Sequence, residues 1–464
     1  MHPVGTPRMP RPYGKIASLL GTALLAASML PASGLAADKT IVTVAYSPTY
    51  VFDTNDLAAK WWASVKQQFD TQYPNAEMKL VPIEGNYDDI VNKLSLLYRS
   101  PATTPDVVQI PTPVVAQWVA SNYLLPLDSY VANTDWYKDF PQVIRDEGTF
   151  DGKVYAVSSG ENDSMLYYNK DMFKKAGLPV PWNPQNWDDI LTAARQIHAK
   201  VPDVVPMWLM AGTTAGSVGI EMGAGNLLYG SSDPTIYDEA TQKWVVDSVG
   251  LRETLGFYHS IYSEGLGAKL SDLFSPTPHT VPVTDIIPNQ KVAIVLGSNF
   301  YGGQWGKVVC APCWDKATEV EGVAPIPHVK GQAPNVATTV AGWDYAVAAV
   351  TPHPKEAFDA VNVLSNRRNS IDIANWAGFV PGSSKFANDP ELINFGPPVN
   401  ELASKIIQYG RILPPLPDFE VWSKGLQQTT GTMAQHPETS VDDAIGILKD
   451  YVTNQLGDDK VETK

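Results

Sequence analysis

Apolar positions along this chain follow two rhythms. Short β-branched runs, "TIVTVAYS" at 40–47, "AEMKLVPIE" at 76–84 and "PDVVQI" at 105–110, have the length and composition of buried strands. Between them, Leu57, Trp61, Val65 and Phe69, and then Tyr87, Ile90, Leu94 and Leu97, recur at helical spacing. The alternation predicts β–α–β–α–β and a mainly parallel sheet. Farther along, 151–158, "SMLYYN", "VPMWLMAG", "QKVAIVLGS" (290–298) and "AGWDYAVAAV" (341–350) read as strands. "KDMFKKAGLP", "NWDDILTAARQIHA", "LRETLGFYHSIYSEG" and "PKEAFDAVNVLSN" read as helices, the first ended by Gly177 and Pro179. No repeat, low-complexity tract or tether breaks this order. A chain of 464 residues exceeds the size at which one core keeps growing, so two lobes joined by chain crossings are expected.

Residues 1–37 stand apart from that pattern. Arg8, Arg11 and Lys15 precede an apolar stretch, Ile16 to Leu30, and "PASGLAA" offers small residues for cleavage after Ala36 or Ala37. This reads as a secretory signal peptide, with an apolar core too short to span a bilayer. Losing its three positive charges takes the formal net charge from −15 to −18. An acidic exported chain lacks the basic patches that nucleic acid or an anionic membrane surface requires.

Both cysteines sit in "CAPC", Cys310 and Cys313. In an oxidising compartment a local disulfide is the leading reading, ahead of a redox-active pair. Zinc ranks last, since there is no second such pair and only His328 as a lone further candidate, so no metal is expected. HExxH, GxxxxGK[ST] and GxSxG are absent, and "GAGNLL" at Gly223 lacks the third glycine of a dinucleotide loop. The acidic doublets Asp88–Asp89, Asp188–Asp189 and Asp442–Asp443 are neighbours that cannot converge on one site from a helix. Nothing nominates a catalytic pair or a cofactor. What does recur is aromatic and hydrogen-bonding residues at strand ends: "GENDS" (160–164), "GSNFYGGQW" (297–305) and "AGWD" (341–344). Ligands of open α/β sheets bind outside strand ends, and an aromatic face packs on the C–H side of a sugar while Asp, Glu and Asn bond its hydroxyls. Each aromatic taken alone is as well explained by the core. For Trp343 the alternation Trp343, Tyr345, Val347, Ala349 permits that reading.

The order of these pieces, and especially "GTFDGKVYAVSSGENDSMLYYNKDMFKKAGLP" (148–179), resembles the family 1 extracellular solute-binding proteins of bacterial ABC importers, the group with maltose- and trehalose-type sugar binders. Further matching stretches are 69–110, 122–131, 186–197, 289–305, 322–332, 341–366 and 378–384. The resemblance implies an α/β, two-lobed type II periplasmic-binding-protein fold, with a ligand cleft and a hinge of three crossings near Val154, Ser298 and Ser365. Residues 38–154 plus 299–365 would form the N-terminal lobe, and 155–298 plus 366–464 the C-terminal lobe. It implies a monomer in the periplasm, neither enzyme nor cofactor-dependent, that captures a mono- or oligosaccharide and hands it to ABC permease subunits without inserting into the membrane.

Carried over by position, the ligand contacts are Ser47, Asn86, Tyr87, Gln109, Thr112, Glu161, Asn162, Asp163, Gly225, Asn226, Asn299, Tyr301, Trp343, Asp344 and Phe379. Tyr87, Tyr301, Trp343 and Phe379 would stack; the acids and amides would read hydroxyls. On this alignment "AGWD" falls where relatives present an aromatic to the cleft, which favours Trp343 as a platform. Two departures touch the pocket. Many relatives carry an aspartate near the position of Pro111, and "GEND" replaces an aromatic-containing loop. The same role for a polyol, a glycerophosphodiester or a cationic amine is the alternative, the last favoured if Glu161, Asp163 and Asp344 lie unpaired. An exported carbohydrate-active enzyme would need two carboxylates facing across the cleft.

Overall fold

The computed structural model describes residues 39–48, 56–84, 87–306, 309–387, 389–393, 399–416 and 418–464, with 87, 88, 384, 387 and 393 described by backbone alone. The signal-peptide segment, Asn86 and the Tyr87 side chain lie outside the described residues. Nine strands make two main sheets: β1 (Thr40–Tyr46), β2 (Ala76–Pro82), β3 (Val107–Pro111), β4 (Ala156–Asn162), β5 (Ser164–Asn169), β6 (Val205–Trp208), β7 (Val292–Ser298), β8 (Glu321–Ala324) and β9 (Ala341–Val347). The first sheet has the order β2-β1-β3-β9-β4, and the second β8-β5-β7-β6. β1 is parallel to β2 and β3, as the β–α–β rhythm predicts, while β9 runs antiparallel to both β3 and β4.

Each sheet has its own core because its strands are apolar on both faces. On the first, Val42, Val44 and Tyr46 face a cluster with Trp61, Trp62, Val65 and Phe69 of the helix Leu57–Gln72. Ala45, Val108 and Ile110 face a second cluster with Ile90, Leu94 and Trp118. The Trp62 ring is fully buried, 4.2 Å from Tyr46 and 4.8 Å from Trp61 between centroids. The second sheet is buried along the whole of β5 and β7. Its helices begin where the sequence supplies a cap: Asn169, Asn186 and Ser248 each accept backbone N–H groups of the first turn that follows. Gly177, at φ 78°, ends Lys170–Ala176 in the left-handed conformation that glycine adopts freely. Among the described residues no helix is long and apolar enough to cross a membrane.

The passages between sheets number three, but not at the positions the sequence suggested. β4 hydrogen-bonds to β9 and so belongs to the first sheet, which moves the first passage from near Val154 to Asp163. β8 pairs with β5, so the chain stays with the second sheet beyond Ser298 and returns just before β9. Ile373, Trp376 and Phe379 are buried in the first core, which carries the third passage from near Ser365 to about Val380. These passages are tied together by side chains. Asn299 Oδ1 accepts from the Asp163 N–H at 3.0 Å, and its Nδ2 donates to the Gly378 carbonyl at 2.7 Å. Thr338 Oγ1 accepts from the Ser164 N–H at 2.7 Å. Glu161 and Val380 exchange backbone hydrogen bonds in both directions. Cys310 and Cys313 are joined as a disulfide.

Two substitutions probe this arrangement. Trp62→Ala should cost about 3–5 kcal/mol, the range for emptying a large core site. Asn299→Ala strands two buried backbone groups and should cost about 1–3 kcal/mol. Equilibrium denaturation measures both; a loss well under 1 kcal/mol at either site contradicts the role given to it.

Candidate functional site

The ends of β3, β4 and β9 meet beside the passage at Asp163, and most of the expected contacts gather there. β9 pairs with β3 so that Trp343 stands opposite Pro111 and Asp344 opposite Ile110. Against β4 the register shifts between Trp343, opposite Gly160, and Asp344, opposite Ser158. Ser159 is the extra residue of this bulge. Its hydroxyl donates to the Trp343 carbonyl at 2.8 Å, and Gln109 Nε2 lies 3.5 Å from it. Thr112 Oγ1 accepts from the Gly342 N–H at 3.3 Å and flanks the Asp344 carboxyl. The aspartate missing at Pro111 thus has a neighbour in Asp344, one strand over.

Glycines make the space. Gly160, at φ 151°, lies against the Phe379 ring, where a Cβ would overlap it. At Gly342 a Cβ would overlap both the Gly160 carbonyl and the Glu161 carboxylate. The "GEND" segment is therefore not a loop throughout: Gly160 to Asn162 complete β4, and only Asp163 makes the passage. Trp343 is half-buried at the end of β9, while Tyr345 and Val347 on the same face are fully enclosed. Phe379 is 5% exposed and packs in the first core. Ser47 is buried at the end of β1.

Other candidates are committed elsewhere. Tyr301 is fully buried, its hydroxyl donating to the His279 carbonyl at 3.0 Å and its ring 5.7 Å from that of Tyr167. The segment after β7 is not a loop but the short helix Phe300–Gln304, and the absence of a side chain at Gly297 lets the Tyr301 ring lie over the strand. It offers no stacking face. Asn299 is occupied by Asp163 and Gly378, as described above. Asn226 is likewise used up: its Oδ1 accepts from the Thr339 N–H at 2.7 Å, and its Nδ2 donates to the Glu221 carbonyl at 2.6 Å. Gly225 is buried at the start of the helix Gly225–Gly230. Both amides hold passages together.

The sequence reading missed two acids. Glu147 ends the helix Gln142–Glu147, three residues after buried Ile144 and so on its inward face. A side chain at Gly148 would overlap the Ala156 carbonyl, so only glycine lets this helix end rest on β4. Glu221 follows buried Ile220 where a π-helical turn begins on the second-sheet side. An acid at an inward helical position was the available signal for Glu147; Glu221 gave none.

Glu147, Glu161 and Asp344 are 2%, 0% and 0% exposed, and none of their six carboxyl oxygens has a hydrogen-bond partner among the described residues. Burial, then the repulsion of Glu161 and Asp344, holds the Glu147 carboxyl well above the ordinary range. Glu161 is raised by burial and by Asp344. Burial raises Asp344 to about 7 and Glu221 to about 7. Asp163, 1% exposed, is raised by burial too, and both its oxygens lack a partner. No group of His, Cys, Asp and Glu among the described residues has the arrangement of a metal centre. A separate cavity of about 350 Å³ is lined by Tyr229, His328 and Arg411 among others, but by none of the residues expected from the sequence. Arg411 lies 4.7 Å over the Tyr229 ring there.

Comparison with known proteins follows from this geometry. A putative binding protein of Brucella abortus is 29% identical over 139 residues, covering 30% of this chain and 32% of that one. The chain therefore spans about a third of this relative's length. The sugar-binding protein MalE of Xanthomonas citri shares the fold at a TM-score of 0.73 and 18% identity, over 90% of this chain and 98% of that chain. The GacH receptor of Streptomyces glaucescens, solved unliganded and with acarbose, aligns at 0.68 and 18% identity over 90% and 99%. These alignments show that the chain shares the fold of both proteins. Residues 53–369, well over half of the sequence, match the bacterial extracellular solute-binding protein family, and the chain belongs to that family.

Proposed function

We propose that this protein captures a polyhydroxylated solute, a mono- or oligosaccharide, between its two lobes in the periplasm and delivers it to the permease subunits of an ABC importer, without catalysis. The observation that carries the reading is that the half-buried Trp343 and the buried polar residues Gln109, Thr112, Glu161 and Asp344 come together at the ends of three adjacent strands. An indole face covers sugar C–H groups, and carboxyl and amide oxygens receive its hydroxyl hydrogens. Location beside the three passages supports a cleft that closes on its solute, since lobes that move about those passages bury a ligand from both sides. The residues at the centre of this site are Trp343, Asp344, Glu161, Gln109 and Thr112, with Ser47, Asn162, Asp163 and Phe379 around them. The sugars named for MalE-type and GacH-type proteins support the solute class. The signal-like segment at 1–37 supports export.

Without a solute the site is costly to keep charged. A carboxyl whose folded pKa is raised binds more protons folded than unfolded, so stability is highest below the unfolded value and is lost as pH rises through the folded one. Asp344 and Glu221, both raised to about 7, place that window between about pH 4 and pH 7, and the raised Glu147 and Glu161 act in the same direction. A solute supplying hydrogen-bond donors to these oxygens relieves the cost.

Thermal-shift screening and calorimetric titration with mono- and oligosaccharides test the reading. A bound sugar at 100 times its dissociation constant should stabilise by about 2.7 kcal/mol. Trp343→Ala should weaken binding at least tenfold while lowering unliganded stability by less than about 2 kcal/mol, as suits a half-buried ring. A large loss of unliganded stability with binding retained would return Trp343 to the core. The unliganded protein should also lose stability from about pH 4 to pH 7, by up to about 1.4 kcal/mol per pH unit for each shifted carboxyl. Asp344→Asn should flatten that slope; a flat wild-type profile contradicts the burial of uncompensated acids.

A further inference from the structure

Some buried carboxyls elsewhere in this protein have donors. Asp106 accepts from the Thr43 backbone and hydroxyl and from the Thr351 hydroxyl. Asp389 is paired with Arg367. The group formed by Glu147, Glu161 and Asp344 differs. It draws on three separate elements, the helix Gln142–Glu147, β4 and β9, and the charges acting on its members are acidic: one another and Glu221. Among the described residues no lysine, arginine or histidine is ion-paired with any of them, and their neighbouring donors are the hydroxyls of Ser158 and Thr112. Like charges enclosed this way are unfavourable until something positive joins them.

We infer that the solute this site takes carries a protonated nitrogen among its hydroxyls, an amino sugar, aminocyclitol or amino polyol, with the ammonium held between Glu161, Asp344 and Glu147. The inference rests on the solute-binding role proposed above and narrows its ligand class. A neutral polyol can donate hydrogen bonds to these oxygens but leaves their charge in place, whereas an ammonium answers both needs at once. Trp343 directly precedes Asp344 in β9, and Phe379 lies against Gly160, which precedes Glu161 in β4.

Matched pairs that differ by one substituent test this on the intact protein: D-sorbitol against D-glucamine (1-amino-1-deoxy-D-sorbitol), and D-glucose against D-glucosamine. In calorimetric titration at pH 7.5 the amine of at least one pair should bind at least tenfold more tightly than its neutral twin. The ratio should shrink at pH 5.5, where Asp344 and Glu221 take up protons. Titration in buffers of different ionisation enthalpy should show protons released on amine binding and none on binding the twin. Glu161→Gln and Asp344→Asn should each weaken the amine at least tenfold more than they weaken its neutral twin. An unliganded melting point equal to or above wild type at pH 7.5 confirms that each variant is folded. Glu147→Gln supplies the same test from a third element. Twins that bind equally, with a ratio independent of pH and of Glu161→Gln, overturn the cationic solute and leave the sugar reading standing. If neither these pairs nor the wider sugar panel binds or shifts the melting point, both readings fail.

Discussion

Backbone groups at a chain crossing have no strand beside them, and in a buried crossing each must find a partner or incur a large desolvation cost. Here one side-chain amide meets much of that need. Asn299 receives the Asp163 N–H and gives its own N–H to Gly378, joining the passage out of the first sheet to the segment that ends the first core. Thr338 does the same for Ser164, and Asn226 for Thr339. These polar contacts tie the passages to one another where the two sheets join. The candidate site is assembled at this junction.

The junction also explains why acids can lie uncompensated there. Gly160 and Gly342 clear the room in which Glu161 sits, and Gly148 lets the helix bearing Glu147 approach β4. A closely packed arrangement of three carboxyls without a cation works against stability, and binding sites are where such unfavourable local structure persists. The ligand chemistry follows from what is lacking, positive charge.

Most of the fold was legible because its signals are local. The strand runs at 40–47, 76–84 and 105–110, the helical spacing of Leu57 to Phe69 and the stop at Gly177 all lie within a few residues of the element they define. The lobe boundaries were less so. Sheet membership of β4 and β8 depends on partners more than a hundred residues away, β9 for one and β5 for the other, and no local pattern encodes it. The site divided along the same line. Trp343, Asp344, Glu161, Gln109 and Thr112 stand at strand ends, which sequence can locate. Asn226, Asn299 and Tyr301 have the chemistry of ligand contacts but are spent on the fold itself, a distinction visible only from their partners. Glu147 lay hidden among 49 acidic residues because its meaning comes from where its helix docks.

The most direct test of this account is hydrogen–deuterium exchange with and without a saturating solute found by titration. The solute should slow exchange chiefly in three stretches far apart in sequence, 109–112, 160–164 and 341–344, since these are the strand ends brought together beside the Asp163 passage. Protection confined to the cavity near Tyr229, His328 and Arg411, with those three stretches unchanged, would contradict it.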